Sequence, residues 1–181
     1  MTSRIIVWPW WQRSLHWALA LAVLLALVTH RGGRLHEGAG YAALGVALAR
    51  IALGIAGPQS GRFGSFVRGP QRTWAYVRLL LRGEAPRYLN HNPLGAWMVM
   101  VLLAASSLGA ASGWLYVTDQ YWGEAWLIAL HAALTWPIVV MVMMHVAGVA
   151  HASRRHGENL IGAMCHGRKR GSSLSSTSDH G

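Results

Sequence analysis

The chain has 181 residues, of which 53% are hydrophobic and only 12% are charged, and its formal net charge is +10. Soluble domains carry about 25% charged residues, so this composition excludes an ordinary soluble domain. The single cysteine excludes an internal disulfide framework.

The hydrophobicity is concentrated in four long apolar runs. Each run, with its flanks, approaches the ~20 residues that a helix needs to cross a bilayer. The runs are continuous rather than alternating and are rich in Ala, Leu and Met, so helices are favoured over strands. We predict spans at 14–31, 37–57, 94–116 and 125–151. The expected fold is an all-α, integral membrane four-helix bundle that forms one domain over residues 1–170.

Two segments fall outside these spans. Between the second and third spans, Thr73–Leu81 predicts an amphipathic helix on the membrane surface, with its arginines near lipid phosphates. Asn92 and Pro93 are typical of the N-cap and first turn of the third helix. The Ser-rich segment at 171–181 is expected to be a disordered cytoplasmic tail.

Basic residues indicate the orientation in the membrane. The N-terminus, the middle connection and the C-terminal tail carry most of the arginines and lysines, whereas the opposite side has Arg31 and Arg34. The positive-inside rule therefore predicts that both termini and the middle connection are cytoplasmic. Arginines spread along membrane boundaries do not indicate nucleic-acid binding, so no nucleic-acid partner is expected.

Two histidines frame the fourth apolar run. His131 and His145 are fourteen residues apart with no other ionisable residue between them. At about 100° and 1.5 Å per residue, they project from nearly the same helix face and are about 21 Å apart along the axis. Ionisable residues inside a membrane are usually functional. The spacing predicts two separate sites at different depths and excludes one metal centre shared by both histidines.

Topology supplies a partner for each of these histidines. His16 lies at the depth of His145, and His36 lies at the depth of His131, because the first two spans run in opposite directions. Four histidines in two facing pairs are the arrangement that ligates two haems in a helical bundle. His30 also lies near the outer end, so the residues alone leave it as a rival to His36.

Two arginines lie close to the predicted inner site. Arg50 is fourteen residues after His36 and therefore lies on the same helix face, towards the cytoplasmic end. A buried arginine needs an anion, which a haem propionate would supply. The alternative is that Arg50 extends to the lipid headgroups. Arg13, near His16, has the same two interpretations.

A small-residue face in the third span comprises Ser106, Gly109 and Gly113. Such a face favours close packing of a neighbouring helix. The alternative is that it makes room for a flat cofactor.

The chain resembles the bacterial cytochrome b561 and nickel–iron-hydrogenase-type cytochrome b family over about residues 5–170. The matching stretches are Arg13-Ser-Leu-His16-Trp17, His36-Glu-Gly-Ala-Gly40-Tyr41 leading to Arg50, Gly69-Pro70, Arg87-Tyr88-Leu-Asn-His91-Asn92-Pro93-Leu94-Gly95, the pair His131 and His145, and Glu158-Asn159-Leu160 through Met164 to Gly167-Arg168-Lys169-Arg170. Two residues depart from the pattern. Pro9 stands where members often carry an acid, and Pro137, between the two histidines of the fourth span, is expected to disturb that helix.

The resemblance implies a membrane cytochrome that holds two non-covalent b haems and passes electrons between a quinone pool and another redox protein. It implies four axial ligands to haem iron in two pairs, His16 with His145 and His36 with His131. It therefore favours His36 over His30. It also implies Arg13 and Arg50 as haem-binding residues.

The resemblance further implies a quinone near the cytoplasmic haem. Three residues of one loop, His91, Asn92 and Gly95, are candidate quinone contacts. The alternative is that this loop is only the turn that starts the third helix.

Location and partners follow from the same resemblance. The expected location is the bacterial cytoplasmic (inner) membrane, and the expected protein partner is a periplasmic c-type cytochrome or a dehydrogenase or hydrogenase subunit. A homodimer is a further alternative. The chain would be either an electron carrier or the quinone-reactive subunit of an oxidoreductase complex.

Two other functions remain as alternatives. A histidine-lined metal or proton transporter predicts paired acids deep in the membrane, and the apolar runs contain none. A haem-free membrane anchor subunit leaves the matched histidines unexplained.

Overall fold

The structure, a computed structural model, describes residues 4–88 and 91–170, and the predicted disordered tail at 171–181 lies outside them. The described elements, in chain order, are β1 (Arg4–Ile6), α1 (Trp10–Val28), α2 (Arg34–Ala56), a 3₁₀ turn (Gln59–Gly61), α3 (Phe63–Phe66), α4 (Pro70–Leu81), α5 (Pro93–Tyr116), α6 (Ala125–His156), α7 (Leu160–His166) and β2 (Arg168–Arg170). Helices α1, α2, α5 and α6 are long and apolar enough to cross a membrane. The predicted all-α membrane bundle is confirmed.

Local signals in the sequence account for several helix boundaries. Gly32 and Gly33 adopt φ values of +88° and +93° in the turn between α1 and α2, a conformation that glycine adopts at little cost. Asn92 caps α5, because its side chain accepts a hydrogen bond from the Gly95 N–H at 2.7 Å, and Pro93 occupies the first turn. The predicted start of the third span is therefore confirmed in detail.

Two boundaries differ by four or more residues from the predicted spans. α1 begins at Trp10 rather than residue 14, directly after Pro9 at the N-cap position. α6 continues through Pro137 and ends at His156 rather than residue 151, and Gly157, with φ +58°, is its C-cap. The last turn of α6 is basic and polar, so the hydrophobicity that located the span could not detect it.

Small residues form the packed centre of the bundle. Along α2, one buried stripe comprises Ala39, Ala43, Ala47, Arg50 and Gly54. Residues three or four positions apart share a helix face, and small ones allow neighbouring backbones to approach closely. Accordingly, α1 packs against α2, α2 against α5 and α5 against α6. Arg50 is the one charged residue of this buried stripe.

Helix α6 meets the rest of the bundle mainly through α5. Within residues 4–88 and 91–170, no packing comparable to that with α5 joins α6 to α1 or α2. A slot therefore separates α6 from the pair formed by α1 and α2.

A two-stranded ribbon joins the two ends of the described chain. β1 pairs antiparallel with β2, with Ile6 opposite Arg168. The ribbon was not predicted, because two three-residue strands so far apart in the chain carry no local signal. It holds the start of α1 beside the end of α6. The end of α2 and the start of α5 lie at this same end, because Gly61 meets Trp11 and His91 lies near Trp8. We call this the sheet end.

Candidate functional site

The four predicted histidines meet in two pairs. The rings of His16 on α1 and His145 on α6 have centroids 6.2 Å apart, near the sheet end. The rings of His36 on α2 and His131 on α6 have centroids 5.9 Å apart, near the opposite end. Both pairs bridge the slot between α6 and the pair α1 and α2. The rise of an α-helix separates the two sites by about 21 Å along α6.

Backbone carbonyl groups orient the rings of the second pair. Nδ1 of His36 is 3.0 Å from the Ala26 carbonyl oxygen, and Nδ1 of His131 is 3.0 Å from the Gly109 carbonyl oxygen. The Ser112 hydroxyl also lies 3.0 Å from Nδ1 of His131. Because a carbonyl oxygen only accepts, each Nδ1 carries the proton and each Nε2 has a free lone pair. This is the tautomer that a metal-ligating imidazole adopts.

The small-residue face of α5 packs against α6 and borders His131. A Cβ atom on Gly113 would lie 3.0 Å from Cε1 of His131, so this glycine makes room for the imidazole. A Cβ atom on Gly109 would lie 3.0 Å from Cδ1 of Ile138, so that glycine allows α6 to pack closely. The face therefore supports helix packing and also borders one histidine site.

The histidine pairs fit a metal held between two imidazoles. Two ring nitrogens that bind one metal ion from opposite sides at about 2 Å each leave the ring centroids roughly 6 Å apart. Both observed separations agree with this value. Both pairs lie between facing helices, which is where helical bundles hold such cofactors.

His30 does not take the place of His36. It lies in the turn after α1 and is exposed, whereas the ring of His36 faces His131 edge-on at an interplanar angle of 84°. The geometry therefore favours His36 where the residues alone left the choice open.

Arg50 is buried beside the pair at the sheet end. Its guanidinium carbon lies 4.8 Å from the ring centroid of Phe63 and 6.0 Å from that of Trp11. One terminal nitrogen donates to the Gly61 carbonyl oxygen at 3.1 Å. The other, Nη1, is buried and has no hydrogen-bond partner among the described residues. Arg50 therefore stays within the bundle instead of extending to the lipid headgroups.

Further unpaired polar atoms surround the same end of the bundle. Buried side-chain atoms without a hydrogen-bond partner in the described part of the chain include Trp8 Nε1, Gln12 Oε1, Arg13 Nε, Arg50 Nη1 and His91 Nδ1. Most buried polar groups in proteins are paired, so a cluster of this kind indicates a ligand. Most of these atoms are N–H groups or belong to cations, which favours an anionic or carbonyl-bearing ligand.

His91 lies inside this cluster. Its ring stacks on Phe66 with centroids 4.7 Å apart, and the Trp8 ring lies 6.3 Å away. Burial, followed by the positive charges of Arg50 and Lys169, lowers the pKa of His91 to about 4. His91 is therefore neutral at pH 7 and has one N–H donor and one acceptor nitrogen.

The structure gives part of the predicted quinone loop a second role. In the helix cap, the N–H of Gly95 donates a hydrogen bond to Oδ1 of Asn92. The Nδ2 group of Asn92 takes no part in this bond and remains a donor. The helix-start alternative is thus correct for the cap itself, and only His91 and the amide nitrogen of Asn92 retain capacity for a ligand.

Sequence reasoning missed Trp8 and Gln12 of this cluster, and it also missed Lys169, which lies against Trp8. Gln12 is four residues before His16, so helical spacing could have placed it on the same face. Lys169 lies 4.8 Å from the Trp8 ring centroid because β2 pairs with β1, and no local pattern indicates that contact. Burial lowers the pKa of Lys169.

A bundle of four membrane-spanning helices that aligns two histidine pairs across an internal slot has the architecture of a membrane cytochrome b. The sequence profile of the prokaryotic cytochrome b561 family matches residues 7–167, and the chain belongs to this family. No curated protein and no solved structure shows significant similarity to the chain. Family membership makes the chain a multi-pass bacterial membrane protein that binds b-type haem and transfers electrons.

Proposed function

We propose that the chain is a dihaem cytochrome b that passes electrons across the membrane between a quinone pool and a redox partner protein. The main support is the pairing of histidines at two depths of α6, with ring separations of 6.2 and 5.9 Å. His16 and His145 would ligate the haem at the sheet end. His36 and His131 would ligate the haem at the opposite end.

The choice of two histidines per iron determines the chemistry. A haem held by two histidines would offer no vacant position for oxygen and would supply one-electron transfer. The chain contributes ligation, burial and orientation. The carbonyl groups of Ala26 and Gly109 hold the rings of one pair in the required tautomer. Two sites about 21 Å apart would relay electrons through a hydrocarbon core about 30 Å thick.

Arg13 and Arg50 would bind the propionates of the haem at the sheet end. Each has a buried guanidinium nitrogen without a partner among the described residues, Nε of Arg13 and Nη1 of Arg50. A carboxylate satisfies such donors with charge-assisted hydrogen bonds. The Trp8 indole N–H at the same end would supply a further donor.

His91, Asn92 and Gly95 would lie at the quinone site. A quinone carbonyl oxygen needs hydrogen-bond donors, and neutral His91 and the Nδ2 group of Asn92 can supply them. Gly95 would contribute by fixing the Asn92 side chain. The loop lies at the sheet end, on the same side of the bundle as His16 and His145.

The haem content of the purified protein tests this proposal. We expect a b-type band in the reduced-minus-oxidised spectrum, about two haems per chain, and reduction of the haem by a short-chain quinol. The rival transporter and the haem-free anchor predict no such band. A ratio of one haem per chain would reject the dihaem arrangement. Two haems per chain that a quinol does not reduce would reject the proposed reaction with quinone.

The proposed orientation places both termini in the cytoplasm. Cys165 on α7 is the single cysteine of the chain, and it is exposed at the sheet end. A membrane-impermeant maleimide should therefore label inverted membrane vesicles and leave intact spheroplasts unlabelled. The reverse pattern would place the termini outside, and with them the proposed quinone site.

A further inference from the structure

A groove between α4 and the start of α5 lies apart from the histidine pairs. Its volume is about 290 Å³, at the small end of the range for small-molecule sites. The described residues that line it are Arg68, Arg72, Ala75, Tyr76, Leu79, Tyr88 and Pro93. Those from Arg72 to Leu79 follow the spacing of one helix face. The lining therefore combines two arginines with an apolar wall and, among these residues, no acid.

The groove lies at the depth of a membrane boundary. The indole N–H of Trp97, in the second turn of α5, donates to the Arg68 carbonyl oxygen at 3.0 Å. The 24 residues of α5 span about 36 Å, more than the ~30 Å hydrocarbon core, so its first turn extends towards the headgroups. Trp97 and Trp74 are both exposed, as is typical of tryptophans at the interface. Arg68 is thus held at headgroup level.

The two arginines carry positive charge that the described chain does not balance. Both are exposed, and one guanidinium nitrogen of Arg68 donates to the Ser65 carbonyl oxygen at 3.2 Å. In residues 4–88 and 91–170, the one ion pair joins Arg87 to Glu158 and involves neither arginine. Guanidinium groups bind phosphate oxygens in bidentate geometry, so a phosphate between Arg68 and Arg72 would complement this end of the groove.

The rest of the groove suits the glycerol and upper acyl region of a lipid. Tyr76 is buried and meets Tyr88 edge-on with ring centroids 5.6 Å apart. Burial raises the pKa of Tyr76, so its hydroxyl stays neutral and able to donate a hydrogen bond. Ala75 and Leu79 add an apolar surface beside it. A free inorganic anion would leave this surface uncovered.

We propose that the groove binds the headgroup of an anionic phospholipid, with the phosphate between Arg68 and Arg72 and the glycerol against Ala75 and Leu79. The site neither contains nor touches the histidine pairs, and the inference does not rest on the proposed electron-transfer reaction. A lipid bound there would hold α4 against the start of α5, directly beside the loop that carries His91.

Native mass spectrometry of the detergent-purified, haem-containing protein tests this proposal. Wild-type protein should retain one phosphatidylglycerol, at least tenfold more tightly than phosphatidylcholine, and millimolar inorganic phosphate should not displace it. Arg68→Gln/Arg72→Gln should lower this affinity at least tenfold. The matched control, Arg78→Gln/Arg82→Gln, removes two charges at the C-terminal end of α4, outside the groove, and should retain the lipid.

A second variant tests the groove without changing its charge. Ala75→Trp should fill the groove and also weaken phosphatidylglycerol binding, while both arginines remain. An equal loss of phosphatidylglycerol affinity in the two arginine double variants would overturn the proposal, because it would indicate general electrostatic attraction without a specific site. Equal binding of phosphatidylcholine, displacement by phosphate alone, or full retention in both the Arg68→Gln/Arg72→Gln and Ala75→Trp variants would also overturn it.

Discussion

The rings of His36 and His131 lie 5.9 Å apart at an interplanar angle of 84°, and a backbone carbonyl oxygen accepts from the Nδ1 of each ring. The two carbonyl groups come from α1 and α5, so all four long helices contribute to this site. The arrangement leaves both Nε2 atoms unprotonated, as metal ligation requires.

Replacing the histidines of α6 one at a time should separate the two haems. His145→Ala and His131→Ala should each retain about one haem per chain, because each removes an axial ligand from a different site. The haem-to-protein ratio and the reduced-minus-oxidised spectrum measure the outcome. His30→Ala is the control and should retain both haems. Two haems in His145→Ala, or a loss in His30→Ala, would contradict the pairing.

Gly113→Ala should disturb the site at His131. The added Cβ atom would lie 3.0 Å from Cε1 of the imidazole and would displace the ring from its carbonyl partner. We expect loss of most of the haem at that site, measured as haem content per chain. Gly109→Ala is the matched control on the same helix.

In the control, Gly109→Ala, the added methyl group lies against the flexible side chain of Ile138. A Cβ atom on Gly109 would contact the terminal methyl group of Ile138, which can move by a few tenths of an ångström. Alanine also favours a helix over glycine by about 1 kcal/mol. Gly109→Ala should therefore retain both haems with little change in thermal stability. Equal loss in both variants would indicate that the damage lies in helix packing.

Arg50→Gln should lower the reduction potential of the haem at the sheet end. Removing a buried cation near the haem makes electron uptake less favourable. We expect a fall on the order of 50 mV, close to a tenfold change in a one-electron equilibrium. A spectroscopic redox titration measures it. Arg62→Gln, an exposed arginine at the same end, should leave both potentials unchanged. An unchanged potential in Arg50→Gln would argue against its propionate role.

Asn92 has a capping role and a proposed quinone role, and two substitutions separate them. Asn92→Ala removes the cap and should cost about 1 kcal/mol, which lowers the Tm by about 2–4 °C. Asn92→Asp keeps an oxygen for the Gly95 N–H but loses the Nδ2 donor. It should therefore keep the wild-type Tm and raise the KM for a quinol several-fold. An unchanged KM in Asn92→Asp would limit Asn92 to the cap.

Much of the fold was predictable because the length of an apolar run and the residues that cap a helix are local features of the sequence. The four spans follow from apolar runs of sufficient length, and the start of α5 follows from Asn92 and Pro93. The last turn of α6 was missed because it is polar. The ribbon of β1 and β2 was missed because pairing between distant segments depends on the closed bundle and not on local sequence.

The sequence by itself determined the depths of the candidate ligands. Depth in a membrane helix is proportional to residue number, so spacing and alternating direction were enough to match His16 with His145 and to leave His36 and His30 as the two candidates opposite His131. Only the tertiary structure decided the lateral arrangement. In the folded bundle, the ring of His36 faces His131, whereas His30 is exposed. It also brought Lys169 and His91 to Trp8. Distances between helices depend on how side chains pack around the whole bundle, and helical periodicity carries no information about them.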